Sequence, residues 1–286
     1  MKKIKIMFMV MLVMFLTGCG FNTSTLENAE IYTTVYPLEY IVNSLYGDNS
    51  TVESIYPSDA NIFEYDLTNK QIEKYAQGDL FVYIGLGKEK EFAKNFLNEN
   101  EDLLIIDASY GLSYNEDIEE MWLAPNNFLM LAKNVKNSLN EYLDNAFKTE
   151  KVNENYDKLY ESVSWVDAEL RNVAKEAVDY NTIVIADNVL KFLENYGFNV
   201  ISLEDIEKSG SSLQKDDIKS KFKNSTYTKI LTLKGMQNSE LVNTLVNKNK
   251  AKLVELNNIV SNKDTSSDYV SIQYENIALI RDYVSK

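Results

Sequence analysis

Histidine is absent from all 286 residues, and cysteine occurs once, at Cys19. Imidazole and thiolate are the usual ligands of zinc, copper and nickel and the usual partners of nucleophilic hydrolases. A Ser-His-Asp or Cys-His mechanism therefore cannot be assembled, and a lone cysteine excludes an intrachain disulfide. Positive charge is also scarce: 29 basic residues face 43 acidic ones, for a net charge of −14. Such a surface repels nucleic-acid phosphates and anionic headgroups, so no nucleic-acid partner is expected and the acidic excess reads as a solvated surface. No P-loop Gly-Lys-Ser/Thr is present, and Lys90 stands where a dinucleotide fingerprint beginning at Gly85-Leu86-Gly87 needs its third glycine, so that pair reads as a βα turn. No calcium loop of the Asp-x-Asp-x-Asp-Gly type occurs. An enzyme is not expected. What remains, 45% hydrophobic and 25% charged residues, is the composition of an ordinary folded chain of one or two domains.

The chain opens with Lys2, Lys3 and Lys5, continues through an apolar run from Ile6 to Leu16, and reaches Leu16-Thr17-Gly18-Cys19. This is the pattern of a secretory signal, too short to span a bilayer. Its ending resembles the bacterial lipobox, in which the cysteine receives a diacylglyceryl group and becomes the mature N-terminus. Cys19 is thus expected to be a lipid anchor, with residues 1–18 removed and 19–30 forming a flexible polar spacer. Five of the eight methionines leave with residues 1–18, which excludes a methionine-rich copper site.

From Ile31 onward, β-rich runs (31–35, 52–56, 80–84, 103–106) alternate with helical ones (38–46, 69–76, 89–97), which predicts βαβ units and a mainly parallel sheet. Helical spacing continues over 126–143, then over 153–178 without proline or glycine. A helix of about 26 residues spans roughly 39 Å, long enough to join two lobes. The alternation restarts with strands near 182–185, 199–203, 229–233 and 252–255 and helices near 188–196, 214–223, 239–248 and 268–284. The expected architecture is α/β: an N-terminal lobe over 31–148, a connecting long helix over 149–180, and a C-terminal lobe over 181–286.

Several local sequences occur in a telling order: Thr33-Thr34-Val35-Tyr36-Pro37, Tyr56-Pro57, the stretch from Ala76 to Gly87, Trp122-Leu123-Ala124-Pro125, Ala186-Asp187 followed by Tyr196-Gly197, Ser211 to Ile218, and Tyr269 to Ile277. In order and spacing the chain resembles the zinc- and manganese-type solute-binding lipoproteins of ABC importers, and all three prolines, Pro37, Pro57 and Pro125, fall where that family places one. The resemblance implies two α/β lobes joined by a long stiff helix, an extracytoplasmic location, an ABC permease as partner, and a metal held between the lobes by histidines and carboxylates. Matched onto this sequence, the family's four ligand positions fall on Phe63, Glu120, Ala186 and Lys234, the last within one residue.

That set does not make a zinc site, because one oxygen ligand remains, two positions are apolar and an ammonium stands where a cation would be. No metal cofactor is expected on these residues. Glu120 and Lys234, one from each lobe, are positioned in this matching to pair as a clasp in place of the metal, or else both point to solvent. Asp59, Glu64, Asp66, Trp122 and Asp187 are expected near the cleft. The acids offer hard oxygen ligands for calcium or manganese; the plainer reading is a solvated rim. Two further functions stay open. One is a receptor for a small zwitterion gripped by Glu120 and Lys234 against a wall of Phe63 or Trp122; the other is a surface adhesin using some of the nineteen tyrosines.

Overall fold

Short runs of β-branched and aromatic residues alternate with amphipathic stretches, and in the computed structural model they become two four-stranded parallel sheets linked by one long helix. The structure describes residues 26–57, 62, 64–85, 88–112, 120–177, 180–261 and 267–285, the side chain of Glu120 excepted. The expected signal segment, Cys19 and the cleft positions Asp59 and Phe63 lie outside the described residues.

In the N-terminal lobe the chain runs β1 (Ala29–Thr33), α1 (Tyr36–Tyr46), β2 (Ser50–Ser54), α2 (Asn69–Ala76), β3 (Leu80–Tyr83), α3 (Glu89–Glu99) and β4 (Leu104–Asp107). The sheet order is β2-β1-β3-β4. All four residues of β3 are buried, as expected of a central parallel strand covered on both faces. The lobe begins earlier than the sequence pattern indicated. Leu26 is buried and its carbonyl accepts the Tyr46 hydroxyl at 2.6 Å, so the end of the expected spacer is folded against α1.

After α4 (Glu120–Leu123) and α5 (Pro125–Tyr142) comes α6 (Ala146–Glu176), a helix of 31 residues and so about 46 Å. Asn145 caps it, its Oδ1 accepting from Phe147 N at 2.9 Å and Lys148 N at 3.3 Å. Its stripe of Val152, Leu159, Val163, Val166, Leu170 and Val173 is buried. The helix packs on α1 and α5 of one lobe, with Asn155 Nδ2 donating to Leu45 O at 3.1 Å. It is fixed to the other lobe by the Tyr196 hydroxyl on Asp167 (2.8 Å) and by the Arg281–Glu169 ion pair.

The C-terminal lobe runs β5 (Thr182–Ile185), a 3-10 helix (Asn188–Tyr196), β6 (Asn199–Ser202), α7 (Leu203–Lys208), α8 (Ser212–Lys223), β7 (Lys229–Leu233), α9 (Glu240–Asn249), β8 (Lys252–Leu256) and α10 (Tyr269–Val284). Its order, β6-β5-β7-β8, repeats that of the first sheet. The expected α-helix over 188–196 is 3-10, ended by Gly197 at φ 101°, and the short α7 was not anticipated. One contiguous core runs through both lobes, from Ile31 and Phe81 through Trp122 and Val163 to Leu233 and Tyr269. A smaller cluster around Val184, Ile218 and Val242 covers the other face of the second sheet. No helix among the described residues is long and apolar enough to cross a membrane.

Candidate functional site

In an open parallel sheet, ligands bind beyond the carboxyl ends of the strands, where the strand order reverses. Here that point lies between β1 and β3 in one lobe and between β5 and β7 in the other. Ala186 directly follows β5, with its N–H on Leu231 O at 2.9 Å, and Lys234 directly follows β7. These two expected positions therefore stand on the adjacent strand ends that define the reversal.

The Ala186 turn is locked from behind. Asp187 Oδ1 accepts from Val189 N (2.9 Å) and caps the 3-10 helix. The buried Asn188 donates from its backbone to Glu204 (2.8 Å) and from Nδ2 to Asp205 (2.8 Å), and accepts the Ser202 hydroxyl (2.6 Å). Lys191 pairs with Asp205 at 2.8 Å and holds its carboxyl below the usual range. The Asn188 backbone N–H and both polar atoms of its side chain are thus used, which favours a single turn conformation. Asn188, Ser202, Glu204 and Asp205 were missed in the sequence. The signal available was Ser202 with an acid three residues on, a helix-start pattern buried in what read as a strand end.

Lys234 is exposed, and its turn is laced to the one after β8: Lys234 N donates to Leu256 O (2.8 Å) and Asn258 Nδ2 to Lys234 O (3.2 Å). The β8 turn in turn reaches the other lobe. Trp122 Nε1 donates to Asn258 O (2.7 Å) and Tyr36 N to Val260 O (3.1 Å). Within this turn Ile259 is fully buried at φ 58°, a left-handed conformation that β-branched residues avoid. Trp122 therefore departs from its expected role. Its ring is 0% exposed, so it is a rivet between lobes rather than a wall facing a ligand. Its carbonyl accepts both the Tyr269 hydroxyl (2.6 Å) and Gln273 Nε2 (3.2 Å) from α10, and Tyr269 stacks on Phe128 with ring centroids 3.8 Å apart.

On the N-terminal side, Glu64 and Asp66 are exposed in the segment before α2, and Asp66 pairs with Lys88 at 2.6 Å. Glu120 opens α4, two residues before Trp122. The end of β3 turns at Gly85, at φ 83°. A Cβ there would stand 2.9 Å from both carboxylate oxygens of Asp107, so the position needs glycine on two counts.

A family model described as "Zinc-uptake complex component A periplasmic" matches residues 31–283. The chain belongs to this family. Among curated zinc-uptake relatives, the high-affinity zinc uptake system protein ZnuA of Bacillus subtilis is 23% identical over 94% of this chain and 93% of its own length. The iron-binding protein YfeA of Yersinia pestis is 25% identical over 63% of this chain, and the match spans 61% of that relative's length. The solved Zn(II)-bound ZnuA-like domain of Streptococcus pneumoniae AdcA has the same fold, with TM-score 0.71 and 20% identity over 91% of this chain and all of that one. Members of the zinc-uptake component A family are extracytoplasmic solute-binding proteins of metal-type ABC importers, and this chain is not an enzyme.

Proposed function

We propose that this chain is a lipid-anchored receptor of a metal-type ABC importer whose cleft no longer carries the family's zinc or manganese centre. The observation that carries this reading is the donor set in a chain without any histidine. At the strand-order reversal of the C-terminal lobe stand a methyl group, Ala186, and an exposed ammonium, Lys234. Neither supplies a ligand atom from its side chain, and the ammonium opposes a divalent cation. Of the acids expected nearby, Asp66 is committed to Lys88 and Asp187 to capping. Cys19 supplies the anchor, and the permease remains the partner that receives cargo.

Glu120 and Lys234, on opposite lobes, offer the two opposite charges that a small zwitterion requires, and this is the cargo class the altered positions suit. Trp122 drops out of that site because it is buried. The test is metal content by mass spectrometry on the chain from Gly20 onward, purified without chelator and then dialysed against zinc, manganese and calcium. The expected result is no retained metal. One tightly held equivalent of any of the three overturns the reading.

A further inference from the structure

The strand-end face of the N-terminal lobe buries a carboxyl group that the cargo reading leaves unused. Glu89, in the first turn of α3, is 1% exposed. Its Oε2 accepts from the backbone N–H groups of Ile84 (2.8 Å) and Gly85 (3.2 Å), the turn that ends β3 at the strand-order reversal. Its Oε1 is buried with no hydrogen-bond partner, and so are the hydroxyls of Thr34, at the end of β1, and Tyr56, after β2. Thr34 lies against the carboxyl and Tyr56 is within its electrostatic reach. Buried polar atoms left unpaired are rare and costly, and three in one place call for an explanation.

The charged and titratable groups around Glu89 offer no counter-ion. Asp107, at the end of β4, adds like charge, and Tyr56 and Tyr83 complete the ring of titratable neighbours. Lys88, next along the chain, is held by Asp66, and among the described residues no cation pairs with Glu89. Burial raises the carboxyl from 4.5 to about 7, with Asp107 adding to the rise; the two backbone donors oppose it, as does the Thr34 hydroxyl, which lies close to the carboxyl without forming a hydrogen bond of normal geometry.

We propose that Glu89 is a positioning residue whose proton sets the N-terminal edge of the cleft. Protonated, its Oε1–H donates to a flanking hydroxyl oxygen and the pocket behind the Ile84–Gly85 turn stays dry. Ionised, its Oε2 still accepts from the two turn amides, but the buried charge has no counter-ion and lies near Asp107, so water is drawn in to solvate it and the environment of both amides changes. The regulation is of the same site as the proposed function and rests on that site lying at these strand ends, but not on what it binds.

The test is a pH titration from 5 to 9 of the amide resonances of Ile84 and Gly85, on the chain from Gly20 onward, which keeps every described residue, with no cargo added. In the wild type both amides should follow one midpoint near pH 7. Glu89→Gln should leave them flat, and Asp107→Asn, which removes the like charge, should move the midpoint to lower pH. Flat wild-type curves, or a titration that persists in Glu89→Gln, overturn the proposal. Should Glu89→Gln not fold, a midpoint that Asp107→Asn fails to lower overturns it equally. Because no cargo is present, a failure here is distinct from a failure of the proposed function, which metal content decides.

Discussion

At the scale of single residues, the strand-end positions of the candidate site were legible in the sequence and the buried group beside them was not. The absence of histidine and the place of Ala186 and Lys234 after strands could be read from order and spacing, and both residues do stand on adjacent strand ends. Glu89 could not be found that way, because one acid among 43 acidic residues carries no mark of burial. Its effect on stability has a definite sign. Between 4.5 and about 7 the folded chain keeps a proton that the unfolded chain has released, so this contribution is fully present below pH 4.5 and is lost as pH rises to about 7. The loss is on the order of 3 kcal/mol. Urea unfolding at pH 4.5 and pH 8 should therefore show a smaller decline for Glu89→Gln than for the wild type, and equal declines would contradict the assignment.

Among elements, the alternation of strands and helices and the long bridging helix followed from periodicity, because buried stripes such as Val152, Leu159, Val163 and Val166 recur at helical spacing. Two elements escaped. The 3-10 form of 188–196 has the same apolar spacing as an α-helix, and α7 starts on the residue that ends a strand pattern, with only the Ser202 cap to announce it. The burial of Trp122, offered by the sequence as a candidate wall of the ligand site, could not be read there, since its partners come from 136 and more residues away. Short α4 and the β8 turn are joined by its indole N–H on Asn258 O. Trp122→Phe should cost about 1–3 kcal/mol, because the Asn258 carbonyl loses its partner in a partly buried setting and the smaller ring leaves space in the core. Urea unfolding measures it, and a cost below about 0.5 kcal/mol, the range of ordinary surface changes, would show that the rivet holds little.

For the whole molecule, the lobes are fastened by the chain itself. The core is continuous from one sheet to the other, α6 packs on both, and Trp122, Tyr36, Tyr269 and Gln273 bond across the interface. Lobes joined this way need no ion to hold them together, as the proposed loss of the metal centre requires. The most direct test of that account is thermal melting of the chain from Gly20 onward with and without zinc or manganese. A site loaded at a thousand times its Kd adds about 4 kcal/mol, which for a chain of this size raises Tm by roughly 8 to 16 °C. The account predicts melting curves that coincide with and without either metal; a rise of that order would contradict it.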